Sequence, residues 1–143
     1  INERMRSIEM RKELTDEWKR SGITEQRDFA ILTNVLTQAW SGMTTRQYKS
    51  YKGLTKENLR DNMTNVELAL NTLAEVATTE YSRQSNPTTM EESKRIAREG
   101  GEVARDARKT IEKRLGRTII SSEKASDYIR PIAETDTEEL PLE

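Results

Sequence analysis

The sequence predicts an all-α fold, a bundle of five to seven helices followed by a disordered acidic C-terminal tail, on three observations. Apolar residues recur at i, i+3, i+4 and i+7 in separate segments, the spacing of helices that bury one face. Those segments are bounded by glycine, proline and Thr-x-x-Glu sequences, the stop and start signals of helices. No strand pattern longer than residues 118–120 and no internal repeat competes with them. Composition bounds the core. Of 143 residues 34% are charged, and Leu, Ile, Val and Phe together fall just under the roughly 20% below which disorder is suspected. The 24 basic and 25 acidic residues nearly cancel, so self-repulsion is small and the charge is expected on ion-paired helical surfaces around a thin core.

Each element has its own signal. Residues 2–20 carry Met5, Ile8, Leu14 and Trp18 at near-helical spacing and stop at Ser21-Gly22, a charged N-terminal helix within a segment 1–22. The main helical domain is expected over 23–130. Thr24 is placed to cap a helix with Phe29, Leu32, Val35, Leu36, Ala39 and Trp40 on one face, ended by Ser41-Gly42. Two short helices, 45–52 and 55–63, are expected on either side of Gly53-Leu54. Thr64 and Glu67 form a capping box, and behind it Val66, Ala69, Leu70, Leu73, Ala74, Val76 and Ala77 mark a broad apolar face that closes at Asn86-Pro87. Thr88 and Glu91 offer a second box leading into a helix over 90–115. Its inward stripe would be Ile96, Ala97, Gly100, Val103, Ala104, Ala107, Ile111 and Leu115, and Glu91 with Arg95 would pair along it. Ser121 or Ser122 would cap a last short helix reaching Ile129, halted by Pro131. The tail 131–143 holds five acidic and no basic residues. The expected core is Phe29, Leu32, Leu36, Trp40, Leu70, Leu73, Val76, Val103, Ala107 and Ile111.

Gly100-Gly101 inside a helix costs about 1 kcal/mol per glycine relative to alanine, so something must offset it. One reading is a small-residue seam that lets another helix approach, or a kink; the other is close approach to a nucleic-acid backbone.

Without cysteine or histidine the chain has no disulfide framework, no thiol nucleophile, and neither the commonest general base nor the commonest zinc ligand. Glu92-Ser93-Lys94 could end a metal-nuclease motif only on a strand, and here it opens a helix. No phosphate-cradling loop or nucleophile elbow is present. No enzyme activity, catalytic residue, metal, cofactor or small-molecule substrate is therefore expected. No apolar run nears the roughly 20 residues of a membrane span, and the start lacks a secretory block, so a cytoplasmic location with no membrane contact is expected. Because Ile1 is not an initiator methionine, the chain is expected to be a piece of a longer protein.

Charge is segregated along the chain. Residues 41–60 hold five basic against one acidic residue, 91–117 nine against six, and 118–143 two against seven. Arg46, Lys49, Lys52, Lys56 and Arg60 could hold phosphates through counterion release, and Tyr48 and Tyr51 could stack on unpaired bases. The same spacing also fits tyrosines packed inward beneath solvating lysines. A helix-turn-helix with its turn at Gly53 and Thr55 capping a recognition helix is a sharper form of the idea, weakened by Lys49 where a small residue is wanted. Arg98, Gly100, Gly101, Arg105 and Arg108 are a second candidate surface, for a partner or a second copy of the chain.

The runs DFAILTN from Asp28, AWSGMTTRQYK from Ala39, KGLTKENLRDNMTNVELALNTLAEVATTE from Lys52 and AREGGEVARDARKTIEKRLGR from Ala97 together resemble the C-terminal region of the bacterial DNA-damage-inducible protein D family, over residues 22–122. The resemblance implies a helical region that follows an N-terminal BRO-type domain, shared with phage antirepressors, and a link to the SOS response. It makes single-stranded DNA or a RecA filament the natural partner candidate. The alternatives are a helical oligomerisation module and an antirepressor-like regulator that binds a repressor protein.

Overall fold

Helices form where periodicity and caps agree, and the computed structural model, which describes residues 3–128, holds six in chain order: α1 Glu3–Arg20, α2 Gln26–Ser41, α3 Thr45–Tyr51, α4 Asn65–Ser85, α5 Met90–Leu115 and α6 Ala125–Tyr128. A 3₁₀ turn covers Arg60–Asn62, and no strand occurs among the described residues. The fold is all-α, as predicted. Ile129 and the tail 131–143, expected to be disordered, lie outside the described residues.

The caps explain most boundaries. Thr64 and Glu67 make the expected capping box of α4. In α5 the box sits one residue later than expected, on Thr89 and Glu92, and α3 has one from Thr44 and Gln47. Thr24 does not cap α2, which starts after Glu25 without a side-chain cap. Ser121 and Ser122 do not cap α6, where the Asp127 carboxylate accepts the Lys124 N–H at 3.0 Å. The expected helix over 55–63 is replaced by turns and the 3₁₀ piece. There Glu57 accepts the Thr55 N–H at 2.8 Å and Asn58 accepts that of Asp61 at 3.0 Å, local bonds that compete with a helix ladder. With no recognition helix after Gly53, a helix-turn-helix is excluded.

Three helices surround α4, with α1, α2 and α5 all packed on it, and α5 also packs on α2. Gly100 and Gly101 explain how α5 serves two neighbours at once. A Cβ on Gly100 would overlap the Thr78 hydroxyl of α4 and stand 2.7 Å from the Thr78 backbone nitrogen, while one on Gly101 would stand 2.5 Å from Ala39 Cβ and 2.8 Å from the Leu36 carbonyl of α2. At 26 residues α5 outruns both partners, of 21 and 16 residues, which leaves Leu115 51% exposed. The expected pair of Glu91 with Arg95 does not form, since Glu91 meets Lys94 and Arg95 meets Glu99.

Leu32, Leu36, Trp40 and Leu70 are buried as expected, and Phe29, Ala107 and Ile111 pack against them. The inward face of α4 is turned from the expected one. It buries Glu67, Asn71, Glu75, Thr78 and Ser82 beside Leu68, Leu70 and Ala74, and leaves Leu73 37% exposed. On α1 the stripe holds at Leu14 and Trp18 but not at Met5 and Ile8, which are exposed, because Ser7 turns inward to meet Arg60 and Thr72.

The α1–α4 contact should be acid-sensitive. Burial alone would raise the Glu17 carboxyl, but hydrogen bonds from Arg20 at 2.5 and 2.8 Å and from Ser82 at 2.6 Å outweigh it and hold the group below its ordinary 4.5. A depressed carboxyl contributes stability above its unfolded pKa and loses it as pH falls through the folded one. The thermal midpoint should therefore drop below about pH 4.5, and a Glu17→Gln protein, lower at neutral pH, should lose less of its midpoint over that acid range.

Candidate nucleic-acid interface

Two buried carboxylates of α4 decide what the basic residues of 43–64 can do. Glu67, fully buried, accepts from the Tyr48 hydroxyl at 2.5 Å, Lys52 Nζ at 2.8 Å, the Thr64 N–H at 2.8 Å and the Ser121 N–H at 2.9 Å. Lys52 in turn donates to the carbonyls of Ser121 at 2.7 Å and Glu123 at 2.6 Å. An ammonium has three donors, and here all three are used inside the protein. Burial, and then the Glu67 charge, push the Tyr48 phenol well above its ordinary pKa, so it stays a donor. Glu75 pairs with Arg11 at 3.4 Å and with Arg60, and accepts from Asn71, which also receives the Trp40 indole N–H at 3.0 Å. Burial keeps Glu75 above the usual carboxylate range, against the pull of both guanidinium groups.

The structure thus divides the seven residues expected to touch a strand. Tyr48 and Lys52 are interior groups, which corrects the expectation that they face a ligand. Arg60 is tied to Glu75 and Ser7. Arg46, Tyr51 and Lys56 are exposed and Lys49 is half-buried. Among the described residues, no carboxylate lies within 4.0 Å of Arg46, Lys49 or Lys56.

Three of those four residues share one feature. Arg46, Lys49 and Tyr51 line an open groove of about 1850 Å³ between α2 and α3, together with Phe29, Met43 and Leu54. Its geometry starts in α2, where Asn34 accepts the Thr45 N–H at 2.8 Å and pins the start of α3, and Ser41 bonds the turn through Met43. The Glu67–Lys52–Tyr48 cluster anchors the other end of α3. An aromatic ring, two cations without ion pairs among the described residues and an apolar lining then face solvent together, a combination that suits unpaired bases and a phosphate chain. The α2 contribution, Phe29 and Asn34, went unseen in the sequence because Phe29 reads as core and Asn34 carries no charge.

The second candidate surface is mostly spent on the fold. Gly100 and Gly101 sit inside the helix crossings, which corrects their expected role as exposed contacts. Arg108 donates to the Trp40 carbonyl at 2.8 Å near the end of α2 and to Glu112 at 2.9 Å. Arg105 pairs with Asp106 and Glu102. Arg98 is exposed with no ion pair among the described residues, and with Arg105, Arg108 and Lys109 it lines a smaller groove against α2.

Fold and groove define an all-helical domain whose exposed side offers an open groove with cationic and aromatic walls. The chain belongs to the DinD C-terminal domain family, whose profile matches residues 1–129, a match that points to a DNA-damage-inducible protein. The match takes in α1 as well as the region whose sequence carried the resemblance. No curated protein and no solved structure matches the chain at a significant level. Among the described residues, no helix is long and apolar enough to cross a membrane.

Proposed function

We propose that this domain is a non-enzymatic interaction module of the DNA-damage response that contacts single-stranded DNA, bare or within a RecA filament, through the α2–α3 groove. The observation that carries the reading is the pairing of Tyr51, 48% exposed, with Arg46 and Lys49 in one groove where no carboxylate among the described residues neutralises either cation. Lys56, next to the groove residue Thr55, extends the positive surface. Cations of this kind attract phosphates by counterion release, without regard to base sequence, and the Tyr51 ring offers a stacking platform.

The test is a titration of fluorescent oligothymidine at two salt concentrations. Arg46→Ser with Lys49→Ser should weaken binding and lower the salt slope by about 0.7 for each phosphate no longer neutralised, and Tyr51→Ala should cost about 1–3 kcal/mol. Folding should be unchanged in both. Equal affinity and equal slope for folded variants would remove the groove from consideration.

A self-associating module is the second reading. Met5 and Ile8 of α1 and Val66, Leu73 and Tyr81 of α4 are exposed apolar groups on two helices joined at Ser7 and Thr72. A light-scattering mass that doubles with concentration, in a protein that ignores oligothymidine, would favour it.

A further inference from the structure

We propose that the acidic segment 131–143 of this same chain docks in the α2–α3 groove and competes there with nucleic acid. The groove asks for a ligand that is both anionic and apolar, since Arg46 and Lys49 stand beside Phe29, Met43 and Leu54. Residues 131–143 have that chemistry, with five acidic and no basic side chains interleaved with Ile132, Leu140 and Leu142. Lys124, close to the last described residues, lies beside the groove. Lys124 Nζ lies 3.7 Å from where a Cβ of Gly53 would stand, and Gly53 lines the groove. The Ala125 N–H donates to Asn62 at 2.9 Å and Lys52 holds the carbonyls of Ser121 and Glu123, so the chain is fixed at residues 121–125, a few residues before the described structure ends at Tyr128.

Reach is not limiting. The 15 residues after Tyr128 span up to about 50 Å when extended, against about 24 Å for the whole of α2. Tethering also gives the segment an effective concentration in the millimolar range, so a weak contact suffices to occupy the groove. A strand of DNA would then have to displace it, and rising salt would loosen both. The docking itself needs no nucleic acid; only its competitive role rests on the reading of the groove as a strand-binding site.

Zero-length carbodiimide crosslinking of the full chain, followed by peptide mapping, tests the docking directly. At low salt Lys49 and Lys56 should join to Glu134, Asp136, Glu138 or Glu139 within monomers, with a yield independent of protein concentration. The yield should fall several-fold at 1 M salt, where the screening length is about 3 Å. Lys12, Lys19 and Lys94 should give no tail crosslinks. Crosslinks spread evenly over all lysines, or found only in dimers, would overturn the proposal, the latter by making a second copy the occupant. A full-length variant with Glu134→Gln, Asp136→Asn, Glu138→Gln and Glu139→Gln should bind oligothymidine several-fold more tightly. Groove crosslinks with unchanged strand affinity would keep the docking and overturn the competition. Absent crosslinks in a protein whose strand binding still depends on Arg46 and Lys49 would overturn the docking and leave the strand site standing.

Discussion

Lys52→Met should lower the stability of this domain by about 3–5 kcal/mol, the cost of leaving one member of a buried ion pair without its partner. Both side chains of the Lys52–Glu67 pair are wholly inaccessible, and the substitution leaves Glu67 as an interior anion held only by neutral donors. Against a total of about 5–15 kcal/mol for an ordinary domain, that is a large share. Urea unfolding should show a much lower midpoint with an unchanged slope, and hydrogen exchange should rise over residues 119–124, where Lys52 holds the carbonyls of Ser121 and Glu123. Adding Glu67→Gln should restore part of the loss, because the residual charge disappears while an acceptor remains for Tyr48 and Ser121. A Lys52→Met protein within about 0.5 kcal/mol of the parent but weaker on oligothymidine would show that Lys52 works at the surface instead.

The second large effect is expected at the helix crossings. Alanine is favoured over glycine inside a helix by about 1 kcal/mol, so Gly100→Ala and Gly101→Ala would stabilise an isolated helix. In this protein the sign should reverse. The added methyl at 100 meets the Thr78 backbone, which cannot rotate away, and at 101 it meets Ala39 Cβ and the Leu36 carbonyl. Overpacking of this kind costs about 1–3 kcal/mol or more, and valine in either place should cost more than alanine. Thr78→Ser should rescue Gly100→Ala poorly, since the 2.7 and 2.8 Å approaches are to backbone atoms. A thermal midpoint raised by either alanine would mean that α5 does not cross its neighbours this closely.

Much of the fold could be read from local signals. The caps of α4, the glycine stops after α1, α2 and α5, and the apolar repeat of α2 act within a few residues, so one sequence displays them. The site was legible only in part. Arg46, Tyr51 and Lys56 are exposed and Lys49 is half-buried, whereas Tyr48 and Lys52, of the same residue types and in the same run, went inside. Nothing local separates Lys49 from Lys52. The difference is a carboxylate 15 residues away at Glu67 and two carbonyls about seventy residues away at Ser121 and Glu123.

The same distance explains α4. Its apolar residues pointed one way in the periodicity, yet the helix turned Glu67, Asn71, Glu75 and Ser82 toward the interior, because each finds a partner on another element: Lys52, Trp40, Arg11 with Arg60, and Glu17. The sequence by itself determined the helical class and where most of the long helices begin and end, since hydrogen bonding, capping and glycine conformations are settled between near neighbours. Only the tertiary structure decided which charged residues belong to the core and which to the surface, since a buried charge is tolerated only where another part of the chain supplies its counter-charge and hydrogen bonds.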